Sequence, residues 1–170
     1  CALNKPHVLK AQEELLRNYK FRIDTRENTY QYNTIFCEKR QTCTIIIPVF
    51  NKVEFTVKCI ESIIKNTPQC LFEIVIIDNA STDATNDFLK SLAGNIRVIT
   101  NEINYGFAKA CNQGAEKVSS DYLLFLNNDT EPEKGWLEPL IEVLDKDPSV
   151  VAVGSKLLFP DGTLQHAGVT

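Results

Sequence analysis

The feature that most constrains the fold is an alternation, beginning at Thr44, of short apolar runs with amphipathic segments of helical period. The run 44–49 is almost wholly apolar and rich in β-branched residues, and the segment 53–65 repeats its apolar residues at helical spacing. Strands apolar on both faces occur where helices cover both sides of a parallel sheet. The other predicted strands are 73–77, 96–100, 121–126 and 150–153, and the other predicted helices are 85–92, 107–118 and 136–144. This alternation is typical of a doubly wound α/β domain.

The chain of 170 residues is long enough for one ordinary domain and too short for two. Residues 1–43 lack the alternation, and we interpret them as a lead-in helix, over 7–19, followed by a polar linker. Residues 44–170 form the predicted domain, which closes with a hairpin over 156–167 around a turn at 160–163.

Charge and cysteine content narrow the class of protein. The net charge of −4 argues against a nucleic-acid partner. Six cysteines occur at irregular spacing without a CxxC pair, which favours reduced thiols in a cytoplasmic protein over disulfides or zinc. No apolar run approaches the roughly 20 residues of a membrane helix. The start lacks both Met and a signal peptide, so we expect an internal piece of a longer polypeptide.

Polar residues follow four of the predicted strands at the point where each strand ends. Open α/β sheets bind ligands in the crevice beyond the carboxyl ends of their strands, so these residues are expected to share one rim. The four polar clusters are 48–51, 78–83, 101–106 and 127–131. Their convergence predicts a ligand site at this edge of the sheet.

The glycine-rich loops that commonly hold phosphates do not occur in the sequence. No GxGxxG follows the first strand and no GxxxxGK[ST] is present, which disfavours a dinucleotide-binding Rossmann domain and a P-loop ATPase. A diphosphate can instead be held through Mg²⁺ or Mn²⁺, for which Asp129, with Asn127 two residues earlier, offers hard oxygen ligands. Such a metal would neutralise charge on a nucleoside-diphosphate leaving group.

Two of the clusters have both a ligand-binding and a structural interpretation. Asp78 can accept a hydrogen bond from a base ring N–H or a ribose hydroxyl, whereas helix capping is the structural alternative, which Ser81 or Asp83 could supply instead. The small residues of 104–114 can serve a tight turn at Gly106 and a closely packed helix, or a helix start that approaches phosphate. The two roles of this segment are compatible.

Five stretches resemble the family-2 glycosyltransferases, which have the GT-A nucleotide-diphospho-sugar-binding fold. They are 45–51, 77–83, 104–112, 125–129 and 161–168, and they occur in the family's order over about residues 44 to 170. Each stretch alone is weak evidence, but the five stretches in this order are highly specific for the family. Residues 1–43 resemble no family that we can name.

The resemblance implies inverting, metal-dependent sugar transfer from a nucleoside diphosphate donor to a glycan or lipid-linked acceptor, as in polysaccharide biosynthesis. It identifies Asn127 and Asp129 with the family's DxD site and makes Asp129 the ligand of Mg²⁺ or Mn²⁺. Peripheral association of the parent protein with the inner face of the membrane would fit such an acceptor. The predicted nucleotide-binding residues are Pro48, Phe50, Asn51, Asp78, Ser81, Asn104, Gly106, Asn127 and Asn128.

The sequence departs from the family's pattern in two respects. Asn127 stands where the DxD motif has its first Asp, so the metal site has one protein carboxylate and should be weak without bound donor. The family's general base is an acidic residue C-terminal to the hairpin, and we expect it beyond Thr170. We therefore expect residues 1–170 to bind donor better than they turn it over.

Three other functions are weighed against this one. A nucleotidyltransferase would need a glycine-rich loop after the first strand, where Val49–Lys52 stand instead. A phospho-acceptor receiver domain would need a further acid cluster and a later Lys, which we cannot place. A non-catalytic sugar-nucleotide-binding or assembly module of a larger protein remains open.

Overall fold

The structure, a computed structural model, describes residues 43–68 and 71–168, so the predicted lead-in helix lies outside the described residues. Ten elements lie within these residues, in the predicted order except that the strand predicted over 150–153 does not form. They are β1 (Cys43–Val49), α1 (Val53–Asn66), β2 (Phe72–Asp78), α2 (Thr85–Lys90), β3 (Ile96–Thr100), α3 (Phe107–Ala115), β4 (Tyr122–Phe125), α4 (Glu138–Lys146), β5 (Leu157–Leu158) and β6 (Leu164–His166).

The central sheet has four parallel strands in the order β3-β2-β1-β4. Val49 pairs with Asp78, which in turn pairs with Thr100, so three strands end at the same level. A separate antiparallel hairpin joins β5 to β6, as predicted. The α/β fold class with a mostly parallel sheet is confirmed.

Helices cover both faces of this sheet, as predicted from strands apolar on both sides. Ile45, Ile47 and Ile76 lie in the larger cluster, against residues of α1 and α2 and against Leu137 at the start of α4. The opposite face of the sheet packs against α3, which contributes Ala110. No helix in 43–68 or 71–168 is long and apolar enough to cross a bilayer.

Pro48 ends the pairing of β1 with β4. The amide of Leu126 donates to the carbonyl of Ile46, and the next group on that side of β1 would be the N–H that Pro48 lacks. Because β2 and β3 lie on one side of β1 and β4 lies on the other, the chain reverses its direction of winding here. A crevice at this switch point is where open α/β sheets bind ligands.

One predicted strand is wrong. Residues 150–153 adopt no strand, and Val151 is 93% exposed. A four-residue apolar run becomes a strand only where a neighbouring strand satisfies its backbone, and within the described residues β4 pairs on one edge only, with β1. The helices predicted over 85–92 and 107–118 end at Lys90 and Ala115, and the helix predicted from Trp136 begins at Glu138.

Candidate functional site

The loops that follow β1 and β2 are joined by the side chain of Asn51. Its Oδ1 accepts the N–H of Thr82 at 2.7 Å and the N–H of Asp83 at 3.2 Å. The N–H of Asn51 donates to Oγ of Ser81 at 2.8 Å. These bonds link two segments about thirty residues apart in sequence, so each loop fixes the conformation of the other.

Asp83 holds the starts of two helices. Its Oδ1 accepts the N–H of Thr85 at 2.9 Å, in the first turn of α2, and its Oδ2 accepts the N–H of Val53 at 3.3 Å, in the first turn of α1. A carboxylate also interacts favourably with the positive end of a helix. Capping is therefore the role that the structure gives Asp83, and Asp78 is not needed for it.

Left-handed backbone is concentrated in the same loops. Asn51, Lys52 and Ala80 have φ values of 58°, 61° and 64°, and these are the non-glycine residues with positive φ in the described parts of the chain. Such residues cost free energy and tend to cluster at functional sites. The hydrogen bonds of Asn51 offset this cost and stabilise a sharp bend directly after β1.

Asp78 is the buried carboxylate at the rim. It is 1% exposed, its Oδ1 accepts the N–H of Ser81 at 3.0 Å, and within the described residues its Oδ2 makes no hydrogen bond and neither oxygen pairs with a cation. Oδ2 is therefore an acceptor suited to a ligand N–H or O–H.

A buried network of amides fixes the loop before α3. Asn101 Nδ2 donates to Asn79 Oδ1 and to Gln113 Oε1, both at 2.9 Å, and Gln113 returns a bond to Asn101 at 3.0 Å. Asn79 Nδ2 reaches the carbonyl of Gly106 at 3.3 Å, and the N–H of Gly106 donates to Asn104 Oδ1. Gly106 adopts a φ of 78°, which a side chain would disfavour.

The loop after β4 forms a tight turn whose backbone and side chains contact α1. The carbonyl of Asn127 accepts the hydroxyl of Thr130 at 2.7 Å, and the Sγ of Cys59 lies 3.7 Å from the same carbonyl. Asn128 Nδ2 donates to Oγ1 of Thr56 at 3.0 Å. Asp129 is exposed, and its carboxylate makes no hydrogen bond or ion pair within the residues that the structure describes.

Burial controls the chemistry of the thiol beneath this loop. Desolvation raises the pKa of Cys59 from 9.0 to about 12, and the nearby carboxylates of Asp129 and Glu131 act in the same direction. Cys43, Cys59 and Cys111 are all free and buried. Cys59 therefore serves as a neutral hydrogen-bond donor rather than as a nucleophile.

Apolar side chains are exposed beside these polar groups. Phe50 is 48% exposed directly after β1, and Ile103, Tyr105 and Phe107 are exposed around the start of α3. The ammonium of Lys109 lies 3.6 Å from the centre of the Tyr105 ring. Exposed rings at a rim offer surfaces on which a planar base or a sugar can stack.

The predicted site residues thus occupy the carboxyl-end rim. They fall into three sets, each of which is held by its own hydrogen bonds. Asn51 and Ser81 join the loops after β1 and β2, Asn104 and Gly106 belong to the amide network, and Asn128 is tied to α1. Asn51, Ser81 and Asn128 each have a protein hydrogen-bond partner. Their contacts with nucleotide stay predictions. Pro48 is buried in β1, whereas Phe50, Asn127 and Asp129 are exposed.

Sequence reasoning missed Thr56, Cys59 and Gln113, and it included Asn79 and Asn101 in the rim clusters without assigning them a role. Thr56 and Cys59 lie three residues apart on α1 and were hidden within its amphipathic pattern. Asn79, Asn101 and Gln113 are buried or half-buried amides. A buried amide needs partners for both its oxygen and its nitrogen, so Asn79 and Asn101 directly after their strands were the available signal.

The donor set at the rim fits a divalent cation that is shared with a ligand. Asp129, two residues after Asn127, offers an exposed carboxylate that has no partner among the described residues. Within 43–68 and 71–168, no group of three or more His, Cys, Asp or Glu side chains is placed to hold a metal. Mg²⁺ commonly takes one or two carboxylates together with substrate phosphates and water, so the residues present fit such a site.

A second polar cluster lies at the opposite, amino-terminal edge of the sheet. There Arg97 pairs with Glu73 at 3.3 Å, and the hydroxyl of the buried Thr44 donates to Glu73 at 2.8 Å. A cavity of about 420 Å³ opens beside them, with Lys117 and Ser120 in its lining. Arg97 and Glu73 are paired with each other there, whereas the carboxylate of Asp129 makes no hydrogen bond or ion pair within the described residues.

Comparison with known proteins identifies relatives of this domain. O-antigen biosynthesis protein RfbC of Myxococcus xanthus is 34% identical over 129 residues, which cover 74% of this chain and 10% of RfbC. An inactive polypeptide N-acetylgalactosaminyltransferase-like protein 5 of Mus musculus is 31% identical over 118 residues, which cover 65% of this chain and 27% of the relative.

Solved structures agree with these relatives. The crystal structure of S. aureus TarS 1-349 in complex with UDP matches with a TM-score of 0.55 and 25% identity, over 62% of this chain and 32% of that chain. TarS 1-349 has also been solved with UDP-GlcNAc. The chain therefore spans less than a third of the length of each of these three proteins.

The match to a family model covers the whole described domain. The model of Glycosyl transferase family 2 aligns with residues 44–167, which include every strand end of the rim. The fold is that of the GT-A glycosyltransferase structures. This chain belongs to Glycosyl transferase family 2.

Proposed function

We propose that the carboxyl-end rim binds a nucleoside diphosphate sugar, and that the longer protein transfers this sugar with inversion to a glycan or lipid-linked acceptor. The observation that carries the proposal is Asp78, a buried carboxylate with one protein hydrogen bond and no cation partner in the described residues. A base ring N–H or a ribose hydroxyl donating to Oδ2 would give this carboxylate a second hydrogen bond.

The aromatic and amide groups around Asp78 support the same ligand. Phe50 leaves β1 beside the carboxyl end of β2 and exposes about half of its surface, as a ring that stacks on a base would. TarS, a structural relative, binds UDP and UDP-GlcNAc. We therefore take a uridine nucleotide as the first donor to test.

The diphosphate would lie toward the 127–130 turn. Asp129, with the amide of Asn127, would hold Mg²⁺ or Mn²⁺ there. The bound metal supplies charge that stabilises the departing nucleoside diphosphate. During inverting transfer the acceptor oxygen bonds to the anomeric carbon as the bond to the diphosphate breaks. The acceptor proton passes to a general base, which we expect C-terminal to the β5–β6 hairpin.

Affinity for UDP, measured by calorimetry with Mn²⁺ and again with EDTA, tests the proposal. Asp78→Ala should weaken binding about tenfold or more in both conditions, because a hydrogen bond to a charged group is lost. Asp129→Ala should lose the gain that Mn²⁺ provides and keep the affinity measured in EDTA. Asp121→Ala, an exposed carboxylate at the opposite edge, is the matched control and should bind as the wild type does.

A second candidate is a non-catalytic sugar-nucleotide-binding module, favoured by the mouse relative whose name calls it inactive. Such a module has no need of charge neutralisation at a leaving group. Binding of UDP that is unaffected by Mn²⁺ in the wild type would favour this second function. If no nucleoside diphosphate binds, both the transferase and the non-catalytic binding module are contradicted.

A further inference from the structure

Helix α1 presents a polar stripe to the segment 127–136 that follows β4. Near the start of the helix Thr56 accepts from Asn128, and in its middle Cys59 donates to the carbonyl of Asn127. At the other end, Asn66 Nδ2 donates to the carbonyl of Pro132 at 2.8 Å. Beyond the last turn, Thr67 Oγ1 accepts Nε1 of Trp136 at 2.8 Å. The whole segment is thus held along the side of one helix.

These contacts bear directly on Asp129, although none involves its side chain. Asn128, the residue before it, is tied to Thr56, a buried threonine of α1. Thr130, the residue after it, donates both its hydroxyl and its N–H to the carbonyl of Asn127, at 2.7 and 3.3 Å. Both neighbours of Asp129 are therefore fixed, while its own carboxylate is exposed.

We propose that Thr56, acting through Asn128, is a positioning residue that aims the Asp129 carboxylate at the metal and diphosphate. The proposal rests on the function proposed above. A site with one protein carboxylate depends strongly on where that carboxylate points, because no second acidic ligand corrects its orientation. Thr56 sits in the second turn of α1, so it connects this orientation to the same helix whose first turn Asp83 caps.

The location of Thr56 in the helix also argues for such a role. A threonine is a weaker helix former than an aliphatic residue such as Leu, and at a fully buried position it needs a hydrogen-bond partner. A Val of similar shape would remove that need, but it would leave the side-chain N–H of Asn128 without its acceptor. The hydroxyl thus serves a polar neighbour, and the neighbour in the structure is Asn128.

Two threonines of the stripe provide a matched experiment. Thr56 and Thr67 are both buried, and each accepts one side-chain N–H from the segment 127–136, but only Thr56 contacts a neighbour of Asp129. The quantity to measure is the ratio of UDP affinity with Mn²⁺ to UDP affinity with EDTA, using the full chain. The paramagnetic resonance spectrum of bound Mn²⁺ in the presence of UDP gives a second, activity-independent readout.

Thr56→Val should reduce the affinity ratio about tenfold, as loss of a supporting contact to a metal ligand does, while the affinity in EDTA stays within about twofold. Thr56→Ser, which keeps the hydroxyl, should restore the ratio and the wild-type Mn²⁺ spectrum. Asn128→Ala should produce the same loss as Thr56→Val, and the double variant should lose no more than either. Thr67→Val should lower the free energy of unfolding but leave the ratio unchanged.

The outcomes separate this proposal from the function on which it rests. A wild-type chain without a Mn²⁺-dependent gain would overturn both. A wild-type gain that survives in Thr56→Val and Asn128→Ala would overturn the positioning role and leave the metal assignment standing. An equal loss in Thr67→Val would mean that general stability of the segment matters rather than the contact of Thr56 with Asn128, and would also overturn it.

Discussion

Replacement of Asn51 tests two of its properties separately: its hydrogen bonds to the loop after β2, and its tolerance of left-handed backbone. Asn51→Ala removes the acceptor of the Thr82 and Asp83 N–H groups and places alanine at a φ of 58°. The two hydrogen bonds are partly solvated, so their loss should cost about 1–2 kcal/mol together. The left-handed backbone adds about 1 kcal/mol, because Asn tolerates it better than Ala.

Asn51→Gly is the matched variant, since it loses the same hydrogen bonds but adopts positive φ freely. We expect the free energy of unfolding to fall by about 1–2 kcal/mol in the Gly variant and by about 2–3 kcal/mol in the Ala variant. Urea denaturation followed by circular dichroism measures both values. Equal stability of the two variants would refute the left-handed conformation, and a Gly variant as stable as the wild type would refute the contribution of the hydrogen bonds.

Three further predictions follow from the packing and the charges. A Cβ on Gly114 would lie 2.6 Å from Cγ2 of the buried Ile46, so Gly114→Ala should lower the free energy of unfolding by about 1–3 kcal/mol. The same substitution made in the Ile46→Ala variant should lower the free energy of unfolding of that variant by much less. Asp83→Ala should cost about 2 kcal/mol in the same assay, because two helices lose a cap, and a cost within error of zero would contradict that role. Burial raises the pKa of Cys43 and Cys59 to about 12. The folded chain then binds the thiol protons more tightly than the unfolded chain does. The contribution of the buried thiols to the free energy of unfolding should therefore be fully present below about pH 9 and be lost between pH 9 and 12. The decrease should be less steep in Cys59→Ala.

The strands were predictable because each is a short apolar run with a strong local pattern, although β1 and β2 are buried on both faces and β3 and β4 are partly exposed. The run 96–100 was located to the residue, and β1 begins one residue earlier than predicted. The run 150–153 has the same apolar character but no neighbouring strand, and the presence of a neighbour is a non-local property that a short sequence window does not contain. Helix ends were less accurate for a similar reason, since turns continue the helical pattern for a few residues.

The location of the site was predictable from topology, whereas the partners of its residues were not. The polar clusters after four strands were expected at one rim because parallel strands end together. Asn51 bonds to Thr82 and Asp83, about 30 positions away in the sequence. Thr56 bonds to Asn128, about 70 positions away. Such pairings depend on how the loops and helices pack, so the sequence indicated candidate ligands but not which of them the protein itself uses.

The most direct test of a metal-diphosphate site at the rim is the anomalous scattering of manganese in crystals of the chain grown with UDP and Mn²⁺. We expect a manganese peak at coordination distance from an oxygen of Asp129, with the uracil base facing Oδ2 of Asp78. Nucleotide bound instead in the cavity beside Glu73 and Arg97, or manganese bound away from Asp129, would contradict the account.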